Sequence, residues 1–197
     1  MYIEYLTKSR INGIQTGREY LTAEELTVIT KREFDSSRLE RVRDIYLFAC
    51  YTGLAYQDIK NLQKCHIIIA KDGTHWLSLR RSMTSKSVRI PLLEIPRQII
   101  DRYKEDGTEK LLPVSSIQKV NAYLKEIASL CHLNRKLSFQ SARSTFAVTI
   151  GIANNVSEIT ISKLFGFRDY ATRCTHVSDK QINKEMLELS KKLAANK

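Results

Sequence analysis

Apolar residues recur every three or four positions over most of the chain, which is the period of an amphipathic helix. The clearest run ends at Gly53, because glycine suits the position that follows a helix. Its apolar face comprises Leu39, Val42, Ile45, Tyr46 and Ala49. Further helical runs cover 57–62, 94–105, 115–131, 138–152 and 157–165, and a C-terminal run carries Ile182, Met186, Leu189 and Leu193. The pattern predicts a protein built mainly of helices.

Three helix starts are marked by capping boxes, in which a hydroxyl group and the side chain three residues later satisfy unpaired backbone amides. The pairs are Thr22 with Glu25, Ser37 with Glu40, and Ser178 with Gln181. We therefore expect helices to begin near residues 23, 38 and 179.

The hydrophobic pattern changes between residues 66 and 92. Runs rich in β-forming residues at 66–70, 75–80 and 87–92 are separated by two polar turns, which is typical of a three-stranded antiparallel meander. Four cations surround the second turn: Arg80, Arg81, Lys86 and Arg89. The predicted fold class is α-rich mixed α+β, with helices around a small three-stranded antiparallel sheet.

The composition fits a single globular domain. The chain has 197 residues, of which 43% are hydrophobic, with no internal repeat and no linker-like segment. No apolar run approaches the ~18 residues that a membrane span needs, and the first ten residues lack the layout of a signal peptide. We expect a cytoplasmic protein that does not enter a membrane.

Net charge supplies the first indication of function. The chain carries 32 Lys and Arg against 21 Asp and Glu, which gives a net charge of +11. Such a positive field attracts polyanions, so nucleic acid is the expected partner. The alternative is a protein that is basic without binding nucleic acid.

The cysteines and histidines predict neither a metal site nor a disulfide framework. The cysteines are Cys50, Cys65, Cys131 and Cys174, and the histidines are His66, His75, His132 and His176. No two of them have the spacing of a zinc site or of a CxxC pair. We expect reduced thiols and no cofactor.

Arg143 is the least expected residue of the helical pattern. It lies within the apolar stripe formed by Phe139, Phe146, Ala147 and Ile150. Burying an unpaired charge costs several kcal/mol, so an arginine at this position needs a partner or a function.

Four segments resemble, in order and spacing, the catalytic domain of tyrosine recombinases, the phage-integrase family. They are CYTGLAYQDIKNL (50–62), the basic hairpin, KLSFQSARSTFA (136–147) and VSEITISKLFGF (156–167). The integrases of Bacteroides-type mobile elements are the most similar group. The resemblance implies a catalytic-like domain over 21–197, preceded by an extension or linker remnant at 1–20, with no core-binding domain.

Arg143 falls on the arginine of the H-x-x-R motif of this family. In the family a tyrosine attacks a DNA phosphodiester and becomes joined to the 3′ phosphate, while arginines bind the phosphate oxygens. The resemblance implies that Arg143 projects from a buried helix into a phosphate pocket. The alternative is that Arg143 pairs with a buried carboxylate and ties helices together.

The other catalytic positions of the family are substituted. Gln140 stands at the motif histidine, and Ala55 follows Thr52-Gly53-Leu54 where the family has arginine. Met83 aligns with the hairpin lysine, Phe167 replaces the second histidine, and His176 stands at the tyrosine. Groups of this kind act as one unit, so we expect DNA cleavage to be impaired. The alternative is an active recombinase with an unusual site, or one completed by a partner protomer.

The resemblance also implies double-stranded DNA as the partner. The expected contacts are Arg80, Arg81, Lys86, Arg89, Lys136 and Arg168. Arg80, Arg81 or Arg89 could restore the charge missing at Ala55, whereas the alternative for the hairpin is a solvated charged turn. A further alternative is a protein-interaction module, with a homo-oligomer formed through the apolar face of the C-terminal helix. That face could equally pack on the chain's own core.

Overall fold

The computed structural model describes residues 20–104, 107–166 and 178–195, together with the backbone of residues 10–11 and 14–15. The described helices are α1 Ala23–Lys31, α2 Ser37–Thr52, α3 Tyr56–Asn61, α4 Glu94–Arg102, α5 Ile117–Leu130, α6 Ser141–Thr145, α7 Glu158–Phe165 and α8 Asp179–Ala195. The strands are β1 Arg10–Ile11, β2 Ile14–Gln15, β3 Ile67–Ile69, β4 His75–Arg80 and β5 Ser87–Pro91. Helices around a three-stranded antiparallel sheet confirm the predicted fold class.

The predicted helix starts agree with the structure to within one residue. Helix α1 has the expected capping box, since Glu25 N–H donates to Thr22 Oγ1 and Thr22 N–H donates to Glu25 Oε2. Helix α2 instead starts at Ser37, so that Ser36 is the cap residue and makes no side-chain capping bond. The box expected at Ser37 is therefore wrong, whereas the predicted end at Gly53 is confirmed.

Strands β3, β4 and β5 lie side by side in chain order, and both pairs are antiparallel. In the register of the second pair, Leu77 lies opposite Ile90 and Leu79 lies opposite Val88. All four side chains are buried, because alternate residues of a strand share one face of the sheet. This face closes one side of the hydrophobic core.

Helix α2 forms the centre of the fold. It packs against α4, α5 and α6, and every residue from Val42 to Thr52 is buried. The stretch from Ile45 to Tyr51 is apolar all round and so belongs inside the protein, while the buried Arg43 and Asp44 before it form an ion pair. The carboxyl end of α2, at Gly53, therefore lies in the middle of the molecule rather than at its surface.

The predicted helix over 138–152 is a composite. Helix α6 begins only at Ser141, continues as a π-helix over Phe146–Gly151 and ends in a 3₁₀ turn over Ile152–Asn154. The segment before α1 is fastened to it, because Leu21 N–H donates to Thr145 Oγ1 at 3.0 Å and Thr149 Oγ1 donates to the Leu21 carbonyl.

Helix α8 packs on the chain's own sheet. Its side chains Ile182, Met186 and Leu189 are buried, and the helix contacts β5. Of the two expectations for this apolar face, the structure has the packing on its own core. Across the described ranges, no helix is both long enough and apolar enough to cross a membrane.

Candidate functional site

Four separate parts of the chain meet at one place in the fold. They are the end of α2 at Gly53, the first turns of α6 with Arg143, the end of α7 at Phe165 and Gly166, and the loop between β4 and β5 with Arg81. These are the same four segments on which the sequence resemblance rests.

Gly53 allows the chain to pass directly over a pair of aromatic rings. Its φ angle of +64° lies in the left-handed region, and a Cβ atom would stand 2.6 Å from Phe165 Cε1 and 2.8 Å from Phe146 Cδ1. The two phenylalanine rings themselves lie 5.8 Å apart. Only glycine fits here, because both the backbone conformation and the space exclude a side chain.

Arg143 lies against the same aromatic pair. The residue is half-buried, and its guanidinium carbon lies 4.4 Å from the centroid of the Phe165 ring. This distance gives a cation–π contact, which stabilises a partly desolvated charge. Stacking uses the face of the guanidinium, whereas its N–H donors lie along the edges of the group.

Arg81 is the residue that joins the segments. Only 2% of its side chain is exposed. Its Nη1 donates to Asp58 Oδ2 at 2.9 Å and to the Gly53 carbonyl at 3.3 Å, and its Nη2 donates to the Leu164 carbonyl. A single guanidinium therefore connects the hairpin to α2, α3 and α7.

We call Arg81 and the groups that it binds the joint, and the Asp58 carboxylate is its acidic member. Besides Arg81, it accepts hydrogen bonds from the backbone N–H of Ser82 at 2.7 Å and of Ala55 at 3.3 Å. Burial alone raises the pKa of Asp58, but the Ser82 amide and the Arg81 charge outweigh it, so the pKa is lowered overall. Burial lowers the pKa of Arg81 to about 10, with Asp58 opposing and the positive charge of Arg143 assisting. At neutral pH the pair remains ionised.

The hairpin tip is held by its own backbone and by the body of the protein. Arg81 N–H donates to the Lys86 carbonyl at 2.8 Å, and Ser85 N–H donates back to the Arg81 carbonyl at 2.9 Å. Gly166 packs against the underside, since a Cβ atom there would stand 3.2 Å from Thr84 Oγ1. Beyond these contacts Met83 and Lys86 are exposed to solvent.

The structure distributes the sequence-predicted residues over different environments. Arg81 is buried, so its assignment to an exposed basic tip is wrong: at the end of β4 its side chain turns inward to Asp58. Arg80 and Lys86 are exposed as expected, although Arg80 Nε also donates to the Ser85 carbonyl. Arg89 is exposed and pairs with Asp179 of α8 at 2.9 Å.

The remaining predicted residues lie near α6, at the start of α3, or outside the described residues. Lys136 and Gln140 are exposed just before α6, while Ala55 is half-buried at the start of α3. Phe167, Arg168 and His176 lie outside the described residues.

Asp58 and Phe165 are parts of the site that the sequence reasoning missed. A usable signal existed for Arg81, because alternate residues of a strand face the same side. Leu77, Leu79 and Arg81 alternate along β4 and the residue after it, so all three would face the core. No comparable local pattern marks Asp58 or Phe165, since their partners are distant in sequence.

Several positive side chains of the described residues gather at this place. Asp58 neutralises Arg81 from below, and the hairpin contributes Arg80 and Lys86 at the surface. No aspartate or glutamate occurs between Asp72 and Glu94. Such a surface suits an anion. Within the described ranges, no group of three or more His, Cys, Asp or Glu side chains could hold a metal ion.

No protein-family model and no curated protein matches the chain. Solved structures do match. The integrase from mycobacterium phage Brujita is 14% identical with a TM-score of 0.65, over 93% of this chain and 62% of that one. The XerH site-specific recombinase bound to its difH substrate is 16% identical with a TM-score of 0.63, over 91% and 57%.

A lambda integrase dimer bound to a core site is 21% identical with a TM-score of 0.58, over 93% of this chain and 68% of the integrase chain. The chain spans 64% of the XerA recombinase and 57% of XerH. Likeness at these identities concerns the fold. The chain thus has the fold of the catalytic domain of tyrosine recombinases.

Proposed function

We propose that this protein binds double-stranded DNA in site-specific recombination or integration, and that its own DNA-cleaving activity is impaired. Residues 21–197 form the catalytic-like domain, and Arg143 together with the exposed hairpin cations contacts the phosphates. The fold, the net charge of +11 and the convergence of the four segments at Arg143 support this proposal.

The proximity of two guanidinium groups carries the proposal. Arg143 stacks on the Phe165 ring, and Arg81 donates to the carbonyl of the adjacent Leu164, so two like charges lie near each other at the end of α7. Repulsion between these charges costs free energy, and a bound phosphate would offset that cost because it attracts both.

The impairment is inferred from three described positions. Ala55 has no charge to offer a phosphate, Met83 has no proton to give a leaving hydroxyl, and Gln140 cannot exchange a proton near neutral pH. Phe167 and His176 stay predictions. Removing several members of a catalytic group together abolishes most of the rate, because the group acts as a unit.

A homo-oligomer remains part of the proposal, but not through the central apolar residues of α8. Ile182, Met186 and Leu189 are buried against the chain's own core. An oligomer that uses these side chains would first have to detach the helix.

The test is fluorescence anisotropy with random duplex DNA over a salt series. We expect binding that weakens with salt, and a log–log slope that falls by about one in Arg143→Ala and in Lys86→Ala. Lys71→Ala is the matched control, because Lys71 is an exposed cation in the turn at the opposite end of β4. Absence of binding at low salt, or equal slopes in all variants, would contradict the proposal.

A second assay addresses cleavage. The protein is incubated with a pool of nicked duplexes of random sequence, and covalent protein–DNA adducts are sought on a denaturing gel. XerH with its difH substrate serves as the positive control for the assay. We expect no adduct from this chain, and an adduct would show that the unusual site is active.

A further inference from the structure

Met83, at the apex of the β4–β5 hairpin, is exposed to an unusual degree for its chemistry. Its exposed fraction is 82%, the highest among the exposed large apolar side chains of the described ranges. The next is Ile69, at 67%, near the opposite end of the sheet. Single exposed apolar residues are common on protein surfaces, so the exposure alone carries no meaning.

The support beneath Met83 gives this exposure its significance. Ser82, the preceding residue, donates its backbone N–H to the buried Asp58 at 2.7 Å. Thr84, the following residue, lies against Gly166. Arg80 Nε fixes the far side of the loop by donating to the Ser85 carbonyl at 2.8 Å. Met83 is therefore presented on a loop that is already ordered, and little backbone entropy is lost when the side chain is buried in a partner.

The charges around Met83 define the partner. Arg80 and Lys86 flank it, both exposed, and the nearest acidic residues along the chain on this hairpin are Asp72 and Glu94. An apolar tip between two cations complements a polyanion whose interior is apolar. A nucleic acid duplex has this character, since its stacked bases lie directly behind the phosphate backbone.

We propose that Met83 inserts between two base pairs of the bound duplex from the minor groove and kinks the DNA, an inference that rests on the DNA-binding function proposed above. Residues 82–87 are all exposed, and Met83 is the one large apolar side chain among them. Apolar side chains of this kind, methionine included, wedge between base steps from the minor groove.

Insertion of Met83 costs free energy, and this cost depends on which base step is opened. An apolar wedge must unstack one base step, and pyrimidine–purine steps such as TA unstack most easily. Arg80 and Lys86 would hold the phosphates on either side of the opened step. The kink is then an expected property of every productive complex, at a preferred kind of step.

The experiment measures DNA bending and affinity together. A short duplex rich in TA steps carries a donor and an acceptor dye at its ends, and energy transfer is recorded with the full chain over a salt series. The variants are Met83→Ala and Met83→Leu. Ile69→Ala is the control, since it removes an exposed apolar side chain from the far end of the same sheet.

We expect energy transfer to rise when the wild-type protein or Met83→Leu binds. Met83→Ala should lose that rise and bind roughly fivefold to tenfold more weakly, with an unchanged salt slope, because no phosphate contact is removed. Ile69→Ala should behave as the wild type. Binding of the wild type without a rise, or a rise that survives in Met83→Ala, overturns the wedge alone. Absence of any binding overturns the DNA-binding function and the wedge with it.

Discussion

The base and the tip of the β4–β5 hairpin use similar residues for opposite purposes. At the base, Arg81 is buried and donates hydrogen bonds to Asp58 and to the carbonyls of Gly53 and Leu164. At the tip, Lys86 is exposed, and so is the apolar Met83. Composition therefore does not tell which cations stay exposed and which hold the fold, because that depends on where the sheet ends and the loop turns.

The largest expected effect is on the base. Arg81→Met should lower the free energy of unfolding by ~3–5 kcal/mol, because it leaves the buried Asp58 carboxylate without its charged partner. Lys86→Met, at the tip, should change stability by no more than ~0.5 kcal/mol. Urea denaturation of the two variants measures the difference. Equal stabilities would mean that the base is no more structural than the tip.

Two glycines sharpen the same contrast between packed and open positions. Gly53→Ala should cost about 2–4 kcal/mol, because strain in the left-handed region adds to the clash with the Phe165 and Phe146 rings. Gly73 has a similar φ of +79° but open space around it, so Gly73→Ala should cost only about 1 kcal/mol. Thermal denaturation compares them. A cost at position 53 that is no greater than at position 73 would argue against the close approach.

Asp58 makes the stability of the hairpin base dependent on pH. The Ser82 amide and the Arg81 charge hold the pKa of Asp58 in the folded protein below the ordinary value of an aspartate. The contribution of Asp58 is therefore fully present above about pH 4 and is lost as the pH falls through the folded pKa. Asp58→Asn should be less stable than the wild type by about 1.5–3 kcal/mol at pH 7.

This difference between the wild type and Asp58→Asn should shrink as the pH falls below about 4. Urea titrations at a series of pH values follow the change. A difference that stays constant down to pH 2.5 would show that the Asp58 charge does not stabilise the joint.

The smallest effect is expected for the exposed pair between Arg89 and Asp179. Both side chains are about half exposed, so a double-mutant cycle to alanine should give a coupling of no more than ~0.5 kcal/mol. The coupling should vanish in 1 M salt, since screening removes it. A coupling near 2 kcal/mol that persists in salt would place Arg89 with Arg81 rather than with Lys86.

Local signals in the sequence were sufficient for the elements but not for the joint. The capping box at Thr22, the glycine at position 53 and the alternation along β4 each act within a few residues, so they predict where helices and strands lie. Asp58 and Arg81 are 23 residues apart, and Leu164 is 83 residues beyond Arg81. No periodicity connects positions at such separations. For that reason Arg81 was predicted to be exposed, although its alternation with Leu79 indicated a side chain that faces the core.

The fastening of Leu21 to Thr145 and Thr149 has a mechanical consequence. The backbone N–H and carbonyl of Leu21 are both bonded to the composite helical segment that carries Arg143, at Thr145 and Thr149. A pull on the chain ahead of Tyr20 would load the hydrogen bond from Arg135 to the Tyr20 carbonyl and then the bonds to these two threonines. The segment at Leu21 therefore acts as a tether, through which tension on the amino-terminal side is delivered directly to the helix that carries Arg143.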